Sequence, residues 1–247
     1  MATSKKTKKK VKVVKKAAPK SAKAATAPAK KALKKPPFKK AAPILPTIAL
    51  LKRYYPDAHC ALDFTNPWEL LVATSLSAQC TDERVNMTTP ALFKRCPTPQ
   101  ALLKTPVEDI EKMIHSCGFY KNKAKNLKAA AETLVEKYNG EVPKDLEALV
   151  ELGGVGRKTA NVVLGNAFGI PSGIVVDTHV TRLSNRLGWV DTENAVQIER
   201  ELSEEVPQED WIMLSHWLIS HGRAICKARK PDCSHCFLEE TCPKRGV

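Results

Sequence analysis

Two side chains and one ring of cysteines have the types and spacing to do chemistry. Lys158 ends the run Leu152-Gly153-Gly154-Val155-Gly156-Arg157-Lys158, and Asp177 follows nineteen residues later. A lysine in the first turn of a helix meets the positive end of the helix dipole, and Arg157 lies beside it; both favour the free amine over the ammonium, as would partial burial. A free amine is a nucleophile for Schiff-base chemistry. Asp177 ends the apolar run Gly173-Ile174-Val175-Val176, so partial burial is expected to hold its carboxylate near a target. There it can activate a nucleophile or offset positive charge developing on a sugar. It also precedes Thr178-His179-Val180-Thr181-Arg182-Leu183, a helix start that an aspartate caps well, and the two roles are compatible.

The cysteines divide into two groups. Cys60, Cys80, Cys96 and Cys117 are scattered, whereas Cys226, Cys233, Cys236 and Cys242 fall within seventeen residues at spacings x6, x2 and x5. No export signal is present, so disulfides are disfavoured and the compact set reads as a metal site. Zinc usually takes two short hooks separated by a longer loop, and all-cysteine ligation also suits a [4Fe–4S] cluster; spacing alone leaves both open. The loop between the first two ligands carries Lys227, Arg229 and Lys230, three positive charges pinned at both ends, and reads as a phosphate contact.

These groups need elements to hold them. Leu146, Leu149, Val150 and Leu152 read as the end of one helix; Ala160, Val163, Leu164 and Ala167 give the apolar period of another, from Thr159 to Phe168. Helix, glycine hairpin, helix over about 146–168 is a backbone clamp in which Gly153, Gly154 and Gly156 permit positive φ and close approach. The amides of Gly154, Val155, Gly156 and Arg157 then face an anion at a helix N-terminus. The plainer reading is a glycine loop joining two packed helices, and neither phosphate-loop pattern is matched. Gln79, in Leu76-Ser77-Ala78-Gln79-Cys80-Thr81-Asp82, has an amide that both donates and accepts, suited to reading or replacing a base; alone it also reads as a surface glutamine. Gly118-Phe119-Tyr120 sets aromatics at a helix junction, either as core filling or with Phe119 as a wedge into a base stack.

The remaining pattern is helical. An amphipathic segment spans Thr47–Tyr55 and stops at Pro56, and Asn66-Pro67-Trp68-Glu69 caps the next helix. Further helices are expected at about 83–95, 99–104, 106–115, 121–138 and 144–151, with breaks at Pro90, Cys96-Pro97, Thr105-Pro106, Gly118-Phe119-Tyr120 and Asn139-Gly140. Only Gly173–Val176 reads as β-like, so the fold class is all-α. Residues 1–43 are Lys/Ala/Pro-rich and expected to be a disordered tail. Residues 1–42 hold 16 lysines and no acid, leaving 24 basic residues against 26 acidic in the rest, a net of −2. The body therefore binds a polyanion only through local patches, and the tail supplies the long-range attraction, unless it is a merely solubilising extension. No h-region or membrane-length apolar run is present.

Taken in order, Leu76-Ser77-Ala78-Gln79 with Thr81-Asp82, the run from Gly154 to Val163, Val176-Asp177-Thr178-His179, His221-Gly222-Arg223 and the cysteine ring resemble the endonuclease III family of helix-hairpin-helix DNA glycosylases. The resemblance spans about Ile44 to Pro243. It implies a bifunctional DNA glycosylase and abasic-site lyase of base excision repair, acting as a monomer on oxidised pyrimidines in duplex DNA and located inside the cell on DNA (cytoplasm or nucleoid in a bacterium). It implies a six-helix domain over 60–170 and a cluster domain built from 44–59 plus 171–247, with the DNA cleft between. By the same resemblance Lys158 is the nucleophile, Asp177 the catalytic carboxylate and Gln79 the residue that fills the gap left by a flipped base. Cys226, Cys233, Cys236 and Cys242 hold [4Fe–4S]. Three departures stand out: Gly153 where the family hairpin usually has proline, Phe119 where a smaller aliphatic wedge is common, and Cys80 where alanine is frequent. An adenine or mismatch glycosylase would lack Lys158, and a noncatalytic redox-sensing binder would not need Lys158 and Asp177 together.

Overall fold

Residues 40–247 are described by a computed structural model, in which eleven α-helices follow one another. They are α1 (Ile44–Tyr54), α2 (Pro67–Leu76), α3 (Asp82–Arg95), α4 (Pro99–Lys104), α5 (Val107–Ile114), α6 (Tyr120–Tyr138), α7 (Leu146–Val150), α8 (Arg157–Phe168), α9 (Thr178–Leu187), α10 (Ala195–Glu205) and α11 (Trp211–Ala224). No helix among the described residues is long and apolar enough to cross a membrane.

Local chemistry starts these helices. Asn66, Thr81, Thr98, Asp145, Asp177 and Asn194 each accept a backbone N–H of the first turn that follows, a cap worth about 1 kcal/mol apiece. Proline follows the cap directly in α2 and α4, where its missing N–H costs nothing. Helix α8 differs: its cap residue is Gly156, which offers no side chain to the first amides.

Two hydrophobic cores hold the helices. The first is built from α2 to α8 around Leu70, Leu71, Leu76, Leu92, Ile110, Leu134, Leu149 and Leu164. Helix α2 is buried almost all round and packs on α3, α6 and α8, which explains a sequence with no polar face. The second core gathers Ile48 and Leu51 of α1 with Val180 and Leu183 of α9, Ile198 of α10 and Leu214 and Leu218 of α11. Each such leucine contributes about 1.5–3 kcal/mol on burial. Ion pairs join the cores at two places. Glu199 of α10 accepts a bidentate bond from Arg157 of α8 at 3.0 Å and one from Asn161 Nδ2 at 3.1 Å, and Arg223 of α11 reaches Asp82 of α3 at 2.7 Å.

The structure departs from the sequence expectations in four places. Pro90 does not break α3; it sits exposed inside the helix, where solvent can satisfy the freed carbonyl while buried Val85, Thr88, Thr89 and Leu92 hold the turns on either side. Gly173–Val176 has no strand partner and runs as an extended connector whose Ile174 and Val176 are buried. Helix α1 begins at Ile44, ahead of Thr47. Residues 40–43 are not tail. Ala42 is 2% exposed, donates its amide to Leu187 O at 2.9 Å and accepts Trp189 Nε1 at 2.9 Å. The rest of the expected tail lies outside the described residues.

The hairpin between α7 and α8 rests on α6. Only Gly154 of its three glycines has positive φ, at 75°. Gly153 is glycine for another reason. A Cβ there would stand 2.6 Å from Ala129 Cβ and 3.2 Å from the backbone nitrogen of Ala130 and the carbonyl oxygen of Asn126. Gly153→Ala is therefore expected to cost about 1–3 kcal/mol by overpacking, read as a lower denaturation midpoint with unchanged slope. An unchanged midpoint would mean that α6 yields freely.

Candidate active site

Lys158 is the second residue of α8 and is exposed. Asp177 is the cap of α9, half-buried, and its Oδ1 accepts the amides of His179 and Val180, both at 2.8 Å. Both amide bonds fall on Oδ1, which leaves Oδ2 for the cavity. That cavity is about 290 Å³, lies between the two cores, and brings Lys158 and Asp177 together with Gln79 and Ser77 from the end of α2. His59, Cys60, Asn166 and His216 add to its polar lining. His216 Nε2 meets Asn166 Oδ1 at 2.8 Å, and burial pulls the imidazole below its usual range, so at neutral pH it is a neutral hydrogen-bonding group. The ion pair of Asp82 and Arg223 also lines this cavity and bridges it from α3 to α11.

Along the hairpin, Gly154, Gly156, Arg157 and Lys158 are exposed and Val155 is buried at 5% exposure, anchoring the loop. The first amides of α8 have no side-chain cap and stand at the positive end of its dipole, as an anion-binding turn requires. The Arg157 guanidinium is engaged by Glu199, which raises its pKa through their hydrogen bonds. Its contribution at the hairpin is thus the backbone amide.

Gln79 and Phe119 project beside this cavity and from the start of α6. Both are left-handed, with φ of 54° and 46°, a conformation that costs a non-glycine residue roughly 1–3 kcal/mol and recurs at functional sites. Phe119 is 66% exposed. Core filling, the plainer reading of this aromatic, is therefore set aside; it is Tyr120 that packs inward, against the first core and the His115 ring.

The four clustered cysteines line one cavity with Leu183, Leu187, Ile225, Leu238 and His221. Among the described residues no three His, Cys, Asp or Glu side chains are close enough to hold a single metal ion. Donors face the sulfurs: Arg186 Nη1 to Cys226, and the amides of Leu238 and Lys244 to Cys236 and Cys242, each at 3.4 Å. Burial pushes the Cys236 thiol up to about 11 and that of Cys242 upward, so both need a cation to become thiolates. Four thiols with hydrogen-bond donors facing the sulfurs fit an all-cysteine metal group.

The loop between Cys226 and Cys233 presents Lys227, Arg229 and Lys230, all exposed. Its backbone is held from α9: Arg182 Nη2 donates to Cys226 O at 3.2 Å, and Arg186 donates to the carbonyls of Lys227 and Ala228 at 2.8 Å each. Sequence reasoning missed both arginines, as it missed Glu199 and His216. Their i, i+4 spacing on α9 was the available signal, but only the fold reveals which carbonyls they meet.

A glycine hairpin leading into an uncapped helix, a lysine and an aspartate sharing one cavity and a thiol-lined pocket beside a basic loop thus occur on one chain. The family model of the HhH-GPD superfamily of base excision DNA repair proteins matches residues 72–208, over half of the 247-residue chain. Endonuclease III of Synechocystis sp. is 54% identical over 196 residues, covering 79% of this chain and 90% of that one. Endonuclease III of Escherichia coli K12 is 45% identical over 198 residues, covering 80% and 93%. Among solved structures, a trapped endonuclease III–DNA covalent intermediate aligns with a TM-score of 0.76 at 46% identity, covering 79% of this chain and 92% of that one. A non-covalent endonuclease III–DNA complex aligns at 0.77 and 46%, covering 81% and 93%. The chain belongs to the HhH-GPD superfamily, and within it to the endonuclease III family.

Proposed function

We propose that the chain is a bifunctional DNA glycosylase and abasic-site lyase of base excision repair that removes oxidised pyrimidines such as thymine glycol from duplex DNA. The observation that carries this reading is the shared cavity of Lys158 and Asp177, open beside an uncapped helix N-terminus and flanked by Gln79. The amides from Gly154 to Lys158 hold a backbone phosphate. The damaged nucleotide leaves the stack, at a cost of a few kcal/mol that is least for poorly stacked bases. The Lys158 amine adds to C1′ of the sugar as the glycosidic bond breaks, and the base departs with that electron pair and a proton. The Asp177 carboxylate offsets the positive charge on the sugar, takes the proton released from the lysine and passes it on to the departing base. Ring opening gives a Schiff base; loss of a C2′ proton then expels the 3′ phosphate and cuts the strand. A trapped endonuclease III–DNA covalent intermediate among the structural relatives supports this route.

In this reading Cys226, Cys233, Cys236 and Cys242 would hold a [4Fe–4S] cluster. The cluster would act as a structural pin and a redox centre, and Lys227, Arg229 and Lys230 would meet phosphate on the loop it closes. In this reading the first core would belong to the six-helix domain and the second to the cluster domain, with DNA in the cleft between them. Purified protein is expected to absorb in the visible range, and Cys236→Ser to lose that absorbance together with duplex affinity. Stoichiometric zinc and no visible absorbance would overturn the cluster.

The whole reading is tested with a thymine glycol duplex under borohydride. Wild-type protein should release the base, cut on the 3′ side and become covalently trapped. Base release without trapping would indicate a monofunctional glycosylase, and neither activity with DNA still bound would indicate a binder.

A further inference from the structure

We propose that Lys123 is a positioning residue for lesion extrusion, fixing in one register the two turns that present Gln79 and Phe119. Lys123 lies in the first turn of α6 and is 7% exposed. Its Nζ donates to Leu76 O and to Cys117 O, both at 2.8 Å. Leu76 is the last residue of α2, and its carbonyl belongs to the negative end of that helix, where a lysine is favoured. Cys117 ends the short 3-10 turn His115–Cys117. Each carbonyl thus sits two or three residues ahead of a left-handed residue: Leu76 before Gln79, Cys117 before Phe119.

The Cys80 and Cys117 side chains also meet across the two turns, and Ser116 Oγ meets Thr88 Oγ1 at 2.8 Å, but Lys123 bonds a backbone carbonyl of each. Gln79 and Phe119 are exposed, and Gly118, at φ 68°, has nothing within 4 Å of where a Cβ would stand. Two strained turns with exposed tips spread over many states unless something fixes their bases. A buried amine that bonds both removes their relative freedom before DNA arrives, and this is the pre-organisation that makes an inserted side chain effective. The proposal rests on the reading of Phe119 as a wedge and Gln79 as a gap filler in lesion extrusion.

The test uses the full chain with its cluster and two duplexes, one with thymine glycol and one with a preformed abasic site, which has no base to unstack. Lys123→Met keeps the stem and removes both hydrogen bonds. It is expected to slow single-turnover excision of thymine glycol by about tenfold or more while changing abasic-site cleavage by less than about twofold. In a Phe119→Ala background, where there is no wedge to position, the same substitution should add less than about twofold. A general structural role predicts otherwise: equal losses on both duplexes, or an undiminished loss without Phe119. Either result overturns the proposal. Should methionine at 123 fail to fold, Gly118→Ala perturbs the second turn through its positive φ alone and is expected to give the same lesion-selective defect; normal excision by that variant would refute the idea. Normal excision by Phe119→Ala removes the wedge and with it this role for Lys123, and leaves the assignment of Lys158 untouched.

Discussion

Lys158→Gln is expected to reduce borohydride trapping and strand cleavage to background, a loss of at least about 10³-fold, with duplex binding retained. Three features make the separation sharp. Lys158 is exposed and forms no ion pair among the described residues, so its replacement breaks no internal contact. Glutamine and lysine have similar helix propensities, so α8 still starts at Arg157. The hairpin amides that would grip phosphate belong to the backbone and are unchanged. Gel-shift affinity within about threefold of wild type, beside an absent covalent complex, is the expected pair of results. Full lyase activity in the variant would move the nucleophile elsewhere.

Asp177→Asn separates two jobs that share one carboxylate. The aspartate caps α9 through two amide bonds to Oδ1, and asparagine caps a helix about as well, so the melting midpoint should fall by little, within a few tenths of a kcal/mol. Chemistry needs the charge, which asparagine lacks. Base excision in a single turnover is expected to fall about 10²–10⁴-fold. Asp177→Ala loses the cap as well, adding about 0.5–2 kcal/mol of instability to the same catalytic defect. If asparagine excises at the wild-type rate, Asp177 is a helix cap only.

The parts of the protein that sequence alone made legible share a property: their signal is local. The cap of α9 needs only Asp177 and the residues after it, and the cysteine ring is a spacing. The all-helical class follows from apolar periods of about 3.6 residues. What stayed hidden depends on partners far along the chain. Pro90 is helical because its neighbours are packed elsewhere in the first core. The engagement of Arg157 depends on Glu199, forty-two residues away, and Lys123 reads as one more solvated lysine until Leu76, forty-seven residues back, is found at its tip. The exposure of Phe119 was likewise undecidable from its neighbours, since the same dipeptide serves core or surface.

The contact of Gly153 with α6 bears on how this protein can be re-engineered. Reverting a chain toward the majority residue of its relatives is a common route to added stability. At this hairpin a proline, the residue the family resemblance implies there, would bring a ring carbon onto Ala129 and the backbone of α6, where even an alanine Cβ is too close. A larger residue at 153 is therefore expected to weaken this protein unless the facing position on α6 is changed with it. A library that varies Gly153 should therefore vary Ala129 at the same time, and statistical scores that treat the two sites as independent will misrank the single change.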